Sequence, residues 1–453
     1  MAKETVTDSL PTASFSETVS FLFKVMAPNI AKGVIIRRPG VMHVAERWAL
    51  DKRSIKQVQA FNNKYGKGPL LFKTPFKPMA LILDPDDATR VIEETPEPFA
   101  TAESAKKSAL AHFEPDVALI STGKAREERR RLNEDVLESG CPMHRFSDHF
   151  TQVAEQEVNA LLKAVYQHNN KLDWPLFFDA WNRVVRRVVL GDAARDDYPL
   201  TQELIQLRKA ANWGFMRPKR KRLRQKFHNR LAHYVDQAET NSLAAKVSHY
   251  AIGSQAKPVD QMPQWLFAFE PAGMATFRAL ALLCAHPAQA ERAQREINLS
   301  PPPDNPFLQA CVLEALRLWP TTPLILRETT ERTCWSQGEM PTNTTLLIHA
   351  PYFHRDDRTL DIANRFAPDI WLNPEQLKHW PLLPFSGGPG ICPGRNIVLL
   401  VTSAVLAALM NNHTFTLNPP DRLTEDEPMP ALLSNFHLCF QVKQSDALSR
   451  QEG

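Results

Sequence analysis

The stretch PFSGGPGICPGRNIVLLV, residues 384–401, places one cysteine, Cys392, in a loop rich in glycine and proline. Glycine permits unusual dihedral angles and lets the backbone come close to a bulky group. Backbone N–H groups and a helix N-terminus just beyond the loop favour a thiolate. Because a rigidly held thiolate is a good ligand for a soft metal such as haem iron, the loop predicts a metal ligand followed by a buried helix. The alternative is a structural glycine turn around a buried cysteine.

The 453 residues have the composition of a soluble globular protein, with 43% hydrophobic and 23% charged residues. A net charge of +4 is too small to predict nucleic acid as a partner, and no tract interleaves basic and aromatic residues. The six cysteines lie far apart without a Cys-x-x-Cys pair, which argues against a zinc site or a disulfide framework. We therefore expect a cytoplasmic protein.

Residues 1–45 are predicted to form a helical and irregular extension packed on the domain. Ser14 and Glu17 have the spacing of a capping box before an apolar helix. Pro28 is expected to limit that helix to roughly three turns, well short of the ~20 residues that span a bilayer. We therefore expect no transmembrane anchor, and a helix lying on a membrane surface stays open as the alternative.

Between residues 46 and 446 many helical patterns alternate with a few strand patterns, and no internal boundary is evident. Residues 68–83 are typical of a hairpin that its prolines confine to a sheet edge, and Asp84 is expected to cap the next helix. Residues 174–190 have the proline near the start and the glycine after the end that delimit a helix. The sequence thus predicts a mainly α protein with minor β, in one domain over 46–446 with a tail at 447–453.

Phe385, Gly388, Cys392 and Gly394 match the haem-binding signature of the cytochrome P450 (haem-thiolate) family, which the chain resembles over about residues 50–445. Within that family the sequence resembles a bacterial-type soluble member. The resemblance implies a single large helical domain with a small β-rich part. It also implies haem b (iron protoporphyrin IX) as the cofactor, Cys392 as the axial iron ligand and the other three signature residues in contact with the haem.

Two further motifs resemble the family pattern. Glu314 and Arg317, on the helix LEALRLWP, match a pair that braces the core beneath the haem, so the resemblance makes them structural. Arg327, on the next strand, matches a position that commonly binds a haem propionate. Arg126 and Arg130, in GKAREERRR, match positions near the propionates, and the alternative for them is a solvated basic helix face.

Two positions depart from the family pattern. Gly390 stands where the family often has Arg or His. Without that basic side chain, Arg126, Arg130 and Arg327 would have to bind the haem propionates. Ile370, in PDIW, stands where an arginine completes a Glu-Arg-Arg network. Either Asp369 is solvated, or another arginine such as Arg365 substitutes.

A third departure concerns the helix that crosses the haem. The family pattern Ala-Gly-x-Asp/Glu-Thr falls on FAFEPAG, so Glu270 takes the acidic position and Pro271, the position of the missing alcohol, replaces the threonine. A hydroxyl and an acid normally arrange the water that supplies protons for oxygen activation. The proline is expected to kink the helix. A rival alignment takes Thr276 as the alcohol, and Glu270 facing a wet cavity without a catalytic role is a further alternative.

By this resemblance we expect a monooxygenase that hydroxylates or otherwise oxidises a small organic molecule. Its electrons would come from a ferredoxin or flavodoxin-type donor that docks on a basic face near Cys392. Without the alcohol, a peroxide-dependent peroxygenase or a haem-thiolate isomerase or dehydratase stays open, and a non-catalytic haem-binding sensor is the alternative of another class. The basic run 217–226 is typical of a solvated helix face or loop, with an anionic substrate or partner as the alternative. The sequence predicts neither the substrate nor the oligomeric state.

Overall fold

Helices make up most of the structure, a computed structural model that describes residues 10–445 except 76, 251–254, 301, 374, 376–378 and 420–422. The predicted tail at 447–453 lies outside the described residues. The α-helices are α1 (Phe15–Phe21), α2 (Ala27–Lys32), α3 (Pro39–Arg47), α4 (Leu50–Tyr65), α5 (Pro85–Glu93), α6 (Ser104–Leu110), α7 (Gly123–Val136), α8 (Ser147–Gln167), α9 (Trp174–Leu190), α10 (Tyr198–Ala211), α11 (Lys221–Gln237), α12 (Leu243–Val247), α13 (Pro258–Ala285), α14 (Pro287–Leu299), α15 (Pro306–Leu318), α16 (Ala350–His354) and α17 (Arg395–Met410).

The strands are short, which confirms the predicted class of mainly α with minor β. They are β1 (Leu70–Phe72), β2 (Met79–Leu81), β3 (Phe99–Ala100), β4 (Lys171–Asp173), β5 (Leu324–Thr329), β6 (Thr333–Trp335), β7 (Gly338–Met340), β8 (Thr345–His349), β9 (His413–Leu417) and β10 (Cys439–Gln444). The largest sheet has the order β1-β2-β8-β5-β3, and smaller sheets have the orders β4-β10-β9 and β6-β7. Only β2 and β8 pair in parallel among the described strands.

The predicted hairpin and helix limits are confirmed. Leu70 of β1 pairs with Leu81 of β2, and β1 is the edge strand of its sheet. The side chain of Asp84 accepts a hydrogen bond from the backbone N of Asp86 at the start of α5, at 3.0 Å. Helix α9 ends at Leu190, before a glycine with a φ of +104° that only glycine adopts readily.

The apolar interior has two main parts. The larger core lies among α8, α9, α13, α15 and α17, and the smaller one lies between the five-stranded sheet and the helices around it. These two cores agree with a large helical domain and a small β-rich part. Loops that join them, including the Cys392 loop, therefore lie where the two parts meet.

The N-terminal helix corrects the prediction for Pro28. The chain is helical from Phe15 to Lys32, because a π-helical turn at Leu22–Met26 lets the helix continue past the proline. The capping box of Ser14 is present. Phe21 packs into the smaller core, with its ring 4.3 Å from the ring of Phe72, as the predicted packing of the 1–45 extension requires. The boundaries at 45 and 446 stay predictions.

Helix α13 is long and apolar enough to cross a bilayer by length and composition. About 78% of its most apolar stretch is buried within the structure, however, as is usual for the central helix of a folded core. It runs from Pro258 to Ala285 as one helix, through Pro263 and Pro271.

Candidate functional site

The Cys392 loop is closed by its own backbone. The amide of Cys392 donates to the carbonyl of Phe385 at 2.9 Å, and the amide of Ile391 donates to Gly388 at 3.0 Å. Gly388 has a φ of +53°, and a Cβ there would lie 2.5 Å from the carbonyl oxygen of Ile92 on α5. Glycine at 388 is therefore required both by the dihedral angle and by the close approach of α5.

Burial of the Cys392 thiol disfavours the thiolate as long as no cation is bound to it. Burial raises the pKa of Cys392, and the backbone amide of Gly394 and the charge of Arg130 oppose that rise. The predicted N–H group is thus present, but desolvation outweighs it. A bound metal cation removes the proton of such a thiol. Among the described residues, no group of three or more His, Cys, Asp or Glu could hold a metal ion, so Cys392 fits a single-ligand role.

One side of the loop faces a cavity of about 320 Å³, a volume typical of small-molecule sites. Cys392 lies at its wall together with the loop 383–393, opposite the middle of α13. The side chains that line it are mostly apolar, among them Val117, Leu119, Phe267, Val312, Leu316, Leu324, Ile325, Leu326, Phe385 and Val398. The cavity thus combines a thiol with a large apolar interior.

Every charged side chain that lines this cavity, among the described residues, is a cation. Arg126, Arg130, Arg327 and Lys106 line it, and no carboxylate does. The structure therefore brings the three predicted arginines together beside Cys392. Arg126 and Arg130 lie partly at the cavity wall and do not belong only to a solvated helix face. Four cations, a thiol and apolar walls fit a large apolar cofactor that carries two carboxylates and a metal, as haem does.

Arg327 is held in place from three directions. Its Nε donates to the Thr95 hydroxyl at 3.1 Å, its Nη2 to the Ser386 hydroxyl at 3.1 Å, and its Nη1 to the Leu326 carbonyl at 3.0 Å. Burial, and next the charge of Arg126, lower its pKa to about 10. Its bonds go to neutral groups, so a carboxylate in the cavity would be its first anionic partner.

Gly390 makes room for Arg327. A Cβ at Gly390 would lie 2.9 Å from Nη2 of Arg327 and 3.2 Å from the side chain of Thr95. A side chain at position 390 would therefore require the guanidinium of Arg327 to shift from the position that it has here.

Lys106 is a cavity residue that the sequence analysis missed. Its ammonium donates to the carbonyls of Thr101 at 2.7 Å and Leu326 at 3.2 Å. Burial, and next the charge of Arg327, lower its pKa to about 7. Nothing in SAKKSAL separates Lys106 from Lys107, because only the packing of α6 on β5 shows which lysine faces the cavity.

We expect Lys106→Met to speed the loss of haem from the loaded protein by about tenfold, since a charge-assisted hydrogen bond contributes roughly 1.5–3 kcal/mol. The rate of haem transfer to an acceptor apoprotein measures this effect. Lys107→Met is the matched control, because Lys107 is exposed on the same helix. Equal rates for the two variants would contradict a role for Lys106 in holding the cofactor.

On α13 the structure separates the candidate catalytic residues. Pro271 lines the cavity, whereas Thr276 and Glu270 do not. The hydroxyl of Thr276, fully buried, donates back to the carbonyl of Ala272 at 2.9 Å. The ungapped alignment therefore agrees with the geometry, and the rival alignment with Thr276 as the cavity alcohol does not.

Glu270 is committed to a partner outside the cavity. Its carboxylate forms an ion pair with Arg208 of α10, and the two side chains are 10% and 3% exposed. Arg208 also lies over the ring of Phe267, with its guanidinium carbon 4.7 Å from the ring centre. The alternative that Glu270 faces a wet cavity is wrong in this arrangement, and its role as a proton relay stays a prediction that would require the ion pair to open.

Glu314 and Arg317 form a fully buried ion pair below the site. Both oxygens of Glu314 accept from Arg317, at 2.5 and 2.8 Å, and Arg317 also donates to four backbone carbonyls, those of His354, Ile362, Ala363 and Arg365. This geometry agrees with the bracing role that the resemblance implied.

The missing third member of that network is replaced by an indole. Nε1 of Trp371 donates to Glu314 at 2.9 Å, and the backbone N of Ala367 donates to the same carboxylate at 2.9 Å. The alternative in which the side chain of Arg365 fills this place is wrong, because Arg365 contributes only its main-chain carbonyl, which accepts a hydrogen bond from Arg317 at 2.8 Å. Asp369 instead pairs with Arg292 at 2.6 Å in a half-exposed bridge.

Comparisons with known proteins agree with this site. Residues 269–438 match the family model described as Cytochrome P450. Beta-amyrin 24-hydroxylase of Glycine max is 36% identical over 135 residues, 28% of this chain and 26% of the relative. Methyltetrahydroprotoberberine 14-monooxygenase of Papaver somniferum is 29% identical over 186 residues, 38% of this chain and 34% of the relative. The alignments thus span about a quarter to a third of the length of these relatives.

Solved structures extend the likeness to most of the chain. The crystal structure of the cytochrome P450 CYP102L1 has a TM-score of 0.69 at 14% identity, covering 86% of this chain and 94% of that one. The retinoic acid-bound cyanobacterial CYP120A1 has a TM-score of 0.68 at 18% identity, covering 85% and 93%. At these identities the likeness shows the fold, and it confirms the cytochrome P450 fold predicted from the sequence.

Proposed function

We propose that this chain, which is similar to the cytochrome P450 family, is a haem-thiolate monooxygenase that oxidises a small organic molecule with dioxygen and electrons from a separate donor. The single observation that carries the proposal is Cys392 at the wall of an apolar cavity whose charged lining residues are all cations. The hydroxylase and monooxygenase names of the curated relatives support the same reaction class. The substrate lies among apolar and aromatic walls, so we expect a largely apolar molecule.

The proposed cofactor is haem b. Cys392 would ligate its iron, Arg126, Arg130, Arg327 and Lys106 would hold its carboxylates, and Phe385, Gly388 and Gly394 would shape the loop against it. When bound, haem supplies the redox chemistry of oxygen, and the protein supplies position, exclusion of water and protons. The chain's own contribution on the α13 side is an apolar roof in which Gln264 is the polar lining side chain among the described residues.

The side chain of Gln264 is held in place by a hydrogen bond to Glu114. With its amide nitrogen turned towards Glu114, it donates to that carboxyl at 2.7 Å, and burial raises the pKa of Glu114 well above its usual range. A buried amide in this position can order one water molecule in the cavity. We propose that protons reach the site through such water, since Pro271 has no hydroxyl.

A second candidate function is a peroxygenase, and one observation favours it. The position of the usual alcohol is occupied by Pro271 at the cavity wall, and the adjacent acid is paired with Arg208. Hydrogen peroxide brings its own protons, so it removes the need for that alcohol. The test is oxygen-isotope labelling, with a panel of apolar compounds screened first for a change in the haem spectrum.

If the enzyme is reduced by an electron-donor protein without dithionite and the product carries oxygen from ¹⁸O₂, the result supports the monooxygenase. Label only from H₂¹⁸O₂ supports the peroxygenase, and product without label from either supports an isomerase or dehydratase. If the protein binds haem but no compound of the panel changes the haem spectrum or is converted to a product, the result would support the non-catalytic sensor and contradict both enzymes.

We expect Pro271→Thr to raise dioxygen-dependent turnover relative to peroxide-dependent turnover on the order of tenfold, since positioned proton donors contribute about 10²–10⁴ in rate. The measurement is the ratio of the two product yields for one compound. Pro263→Thr is the matched control, because it also restores a backbone donor within α13 but does not line the cavity. A rise of the ratio in both variants would assign the effect to the helix backbone and contradict a role for the hydroxyl.

For the electron donor we propose a ferredoxin or flavodoxin-type protein. Ile391 and Arg395 are exposed immediately beside Cys392, which gives a donor with an acidic surface a short path to the loop. The cytoplasmic location likewise stays a proposal. The exposed apolar stripe of the N-terminal helix, with Phe15 at 86% and Phe23 at 73% exposure, keeps a membrane-surface contact open as its alternative.

A further inference from the structure

A second, smaller cavity lies beside the main one and has a different character. Four charged side chains line it, Lys32 of α2, Arg37, Asp51 of α4 and Arg278 of α13. Its volume is about 20 Å³, which is enough for a guest of about the size of one water molecule. Thr321 lines both cavities, so the two are neighbours.

The charges of this cavity do not balance. Lys32 pairs with Asp51 at 2.6 Å, and this is the only ion pair that the structure describes among the four lining groups. Arg37 donates to the carbonyls of Gly33 at 2.7 Å and Thr321 at 2.5 Å. Arg278 donates to the carbonyls of Trp319 at 3.2 Å and Leu433 at 2.7 Å. Three cations therefore share one carboxylate.

Buried polar atoms without partners lie in the same place. Lys32 and Arg278 are each 3% exposed, and the Nε of Arg278 and the Oδ2 of Asp51 have no hydrogen-bond partner among the described residues. Burial, and next the charge of Arg37, lower the pKa of Arg278 to about 9. Burial also lowers the pKa of Lys32 and of Arg37. Three buried cations that share the one carboxylate of Asp51 leave an excess of positive charge, and a further negative group would offset it.

Neighbouring charges do not remove this imbalance. The negative charge of Glu270 raises the pKa of Arg37, but Glu270 is paired with Arg208. The charge of Glu46 raises the pKa of Arg278, and Glu46 also accepts a hydrogen bond from the backbone N of Ser434. His349 adds no positive charge at neutral pH, because burial lowers its pKa to about 3.

We propose that this cavity binds one small monovalent anion, a halide or a carboxylate group, between Arg37, Arg278 and Lys32. Its small volume favours small anions, and its position next to Thr321 gives two sources for the ligand. The anion is either a free ion such as chloride or formate, or the carboxylate of a molecule whose apolar part lies in the main cavity. The anion site itself does not depend on the proposed oxidation; only the second source rests on it.

Calorimetric titration of the haem-loaded protein with chloride and formate, from a buffer of methanesulfonate at constant ionic strength, tests the site. We expect saturable binding of both ions. Arg37→Gln should weaken it by about tenfold or more, whereas Asp51→Asn, which removes the local negative charge, should strengthen it. Arg38→Gln is the matched control, because Arg38 also binds main-chain carbonyls of the N-terminal helix but does not line the cavity.

The opposite signs separate electrostatics from damage to the fold. Absence of saturable binding, or weakening in both Arg37→Gln and Asp51→Asn, would overturn the proposal. Competition of chloride with dodecanoate, and separately with dodecanol, identifies which of the two sources supplies the anion. If chloride displaces dodecanoate but not dodecanol, the site accepts a carboxylate presented from the main cavity, and if chloride binds without affecting dodecanoate, the site takes free anions. Because binding is measured without turnover, failure of the proposed oxidation would leave this result unchanged.

Discussion

Replacement of Cys392 by serine is expected to abolish the strongly red-shifted Soret band that a thiolate-ligated haem shows when it is reduced and exposed to carbon monoxide. A serine hydroxyl keeps its proton where a metal-bound thiol loses it, so the iron would lose its anionic ligand. The loop itself should survive, since its hydrogen bonds join the backbones of Phe385, Gly388, Ile391 and Cys392. The absorption spectrum of the purified variant measures the change, and turnover should be lost with the band.

Cys439→Ser is the control for this experiment. Cys439 is a free, partly buried cysteine of β10, remote from the cavity lining. Its variant should retain the red-shifted band in full. If Cys392→Ser kept the band, or if Cys439→Ser lost it, the assignment of Cys392 as the iron ligand would be wrong. Wild-type protein that takes up no haem on reconstitution would end the haem-thiolate proposal altogether.

Replacement of Glu314 by glutamine is expected to lower the free energy of unfolding by about 3–5 kcal/mol, the usual cost of removing one partner of a buried ion pair. Glu314 and Arg317 have no exposed side-chain surface. The carboxylate accepts from Arg317, Trp371 and the backbone of Ala367, so a glutamine would place an NH₂ group against donors. Urea unfolding of the purified variant measures the loss.

The matched control is Arg292→Gln, which breaks the bridge between Arg292 and Asp369. That bridge joins the same region of the chain, but its side chains are 39% and 52% exposed, so we expect a change of at most about 1 kcal/mol. A loss for Glu314→Gln no greater than that of Arg292→Gln would contradict the bracing role. Trp371→Phe should fall between the two, because it removes one hydrogen bond to Glu314 and keeps an aromatic ring, although a smaller one.

Much of the site was predictable because it is local in the chain. The signature Phe385 to Gly394 contains both the ligand and the backbone bonds that shape the loop, and α17 follows it directly. The same holds for α9, whose limits are fixed by a proline and a glycine within its own sequence. The prediction failed at Pro28, because a single π-helical turn at Leu22–Met26 lets the helix continue past the proline.

The positions of the candidate proton donors show a different limit. An alignment places Glu270 and Pro271 side by side, yet neighbouring residues on a helix point about 100° apart. Pro271 lines the cavity and Glu270 meets Arg208, which is 62 residues away in the chain. Which of two adjacent side chains faces the cavity is decided by how α13 packs among its neighbouring helices.

The sequence by itself determined the fold class, the resemblance to the family and the thiol at Cys392, because helical periodicity, caps and a short glycine-rich motif each depend on a few consecutive residues. The tertiary structure alone decided that Lys106 joins Arg327 at the cavity, that Trp371 completes the pair of Glu314, and that Arg37 and Arg278 share a buried cavity. These groups lie tens to hundreds of residues apart, and their hydrogen bonds form only after the elements that carry them have packed. Burial and desolvation, which give these side chains their chemistry, are properties of that packing and not of any one segment.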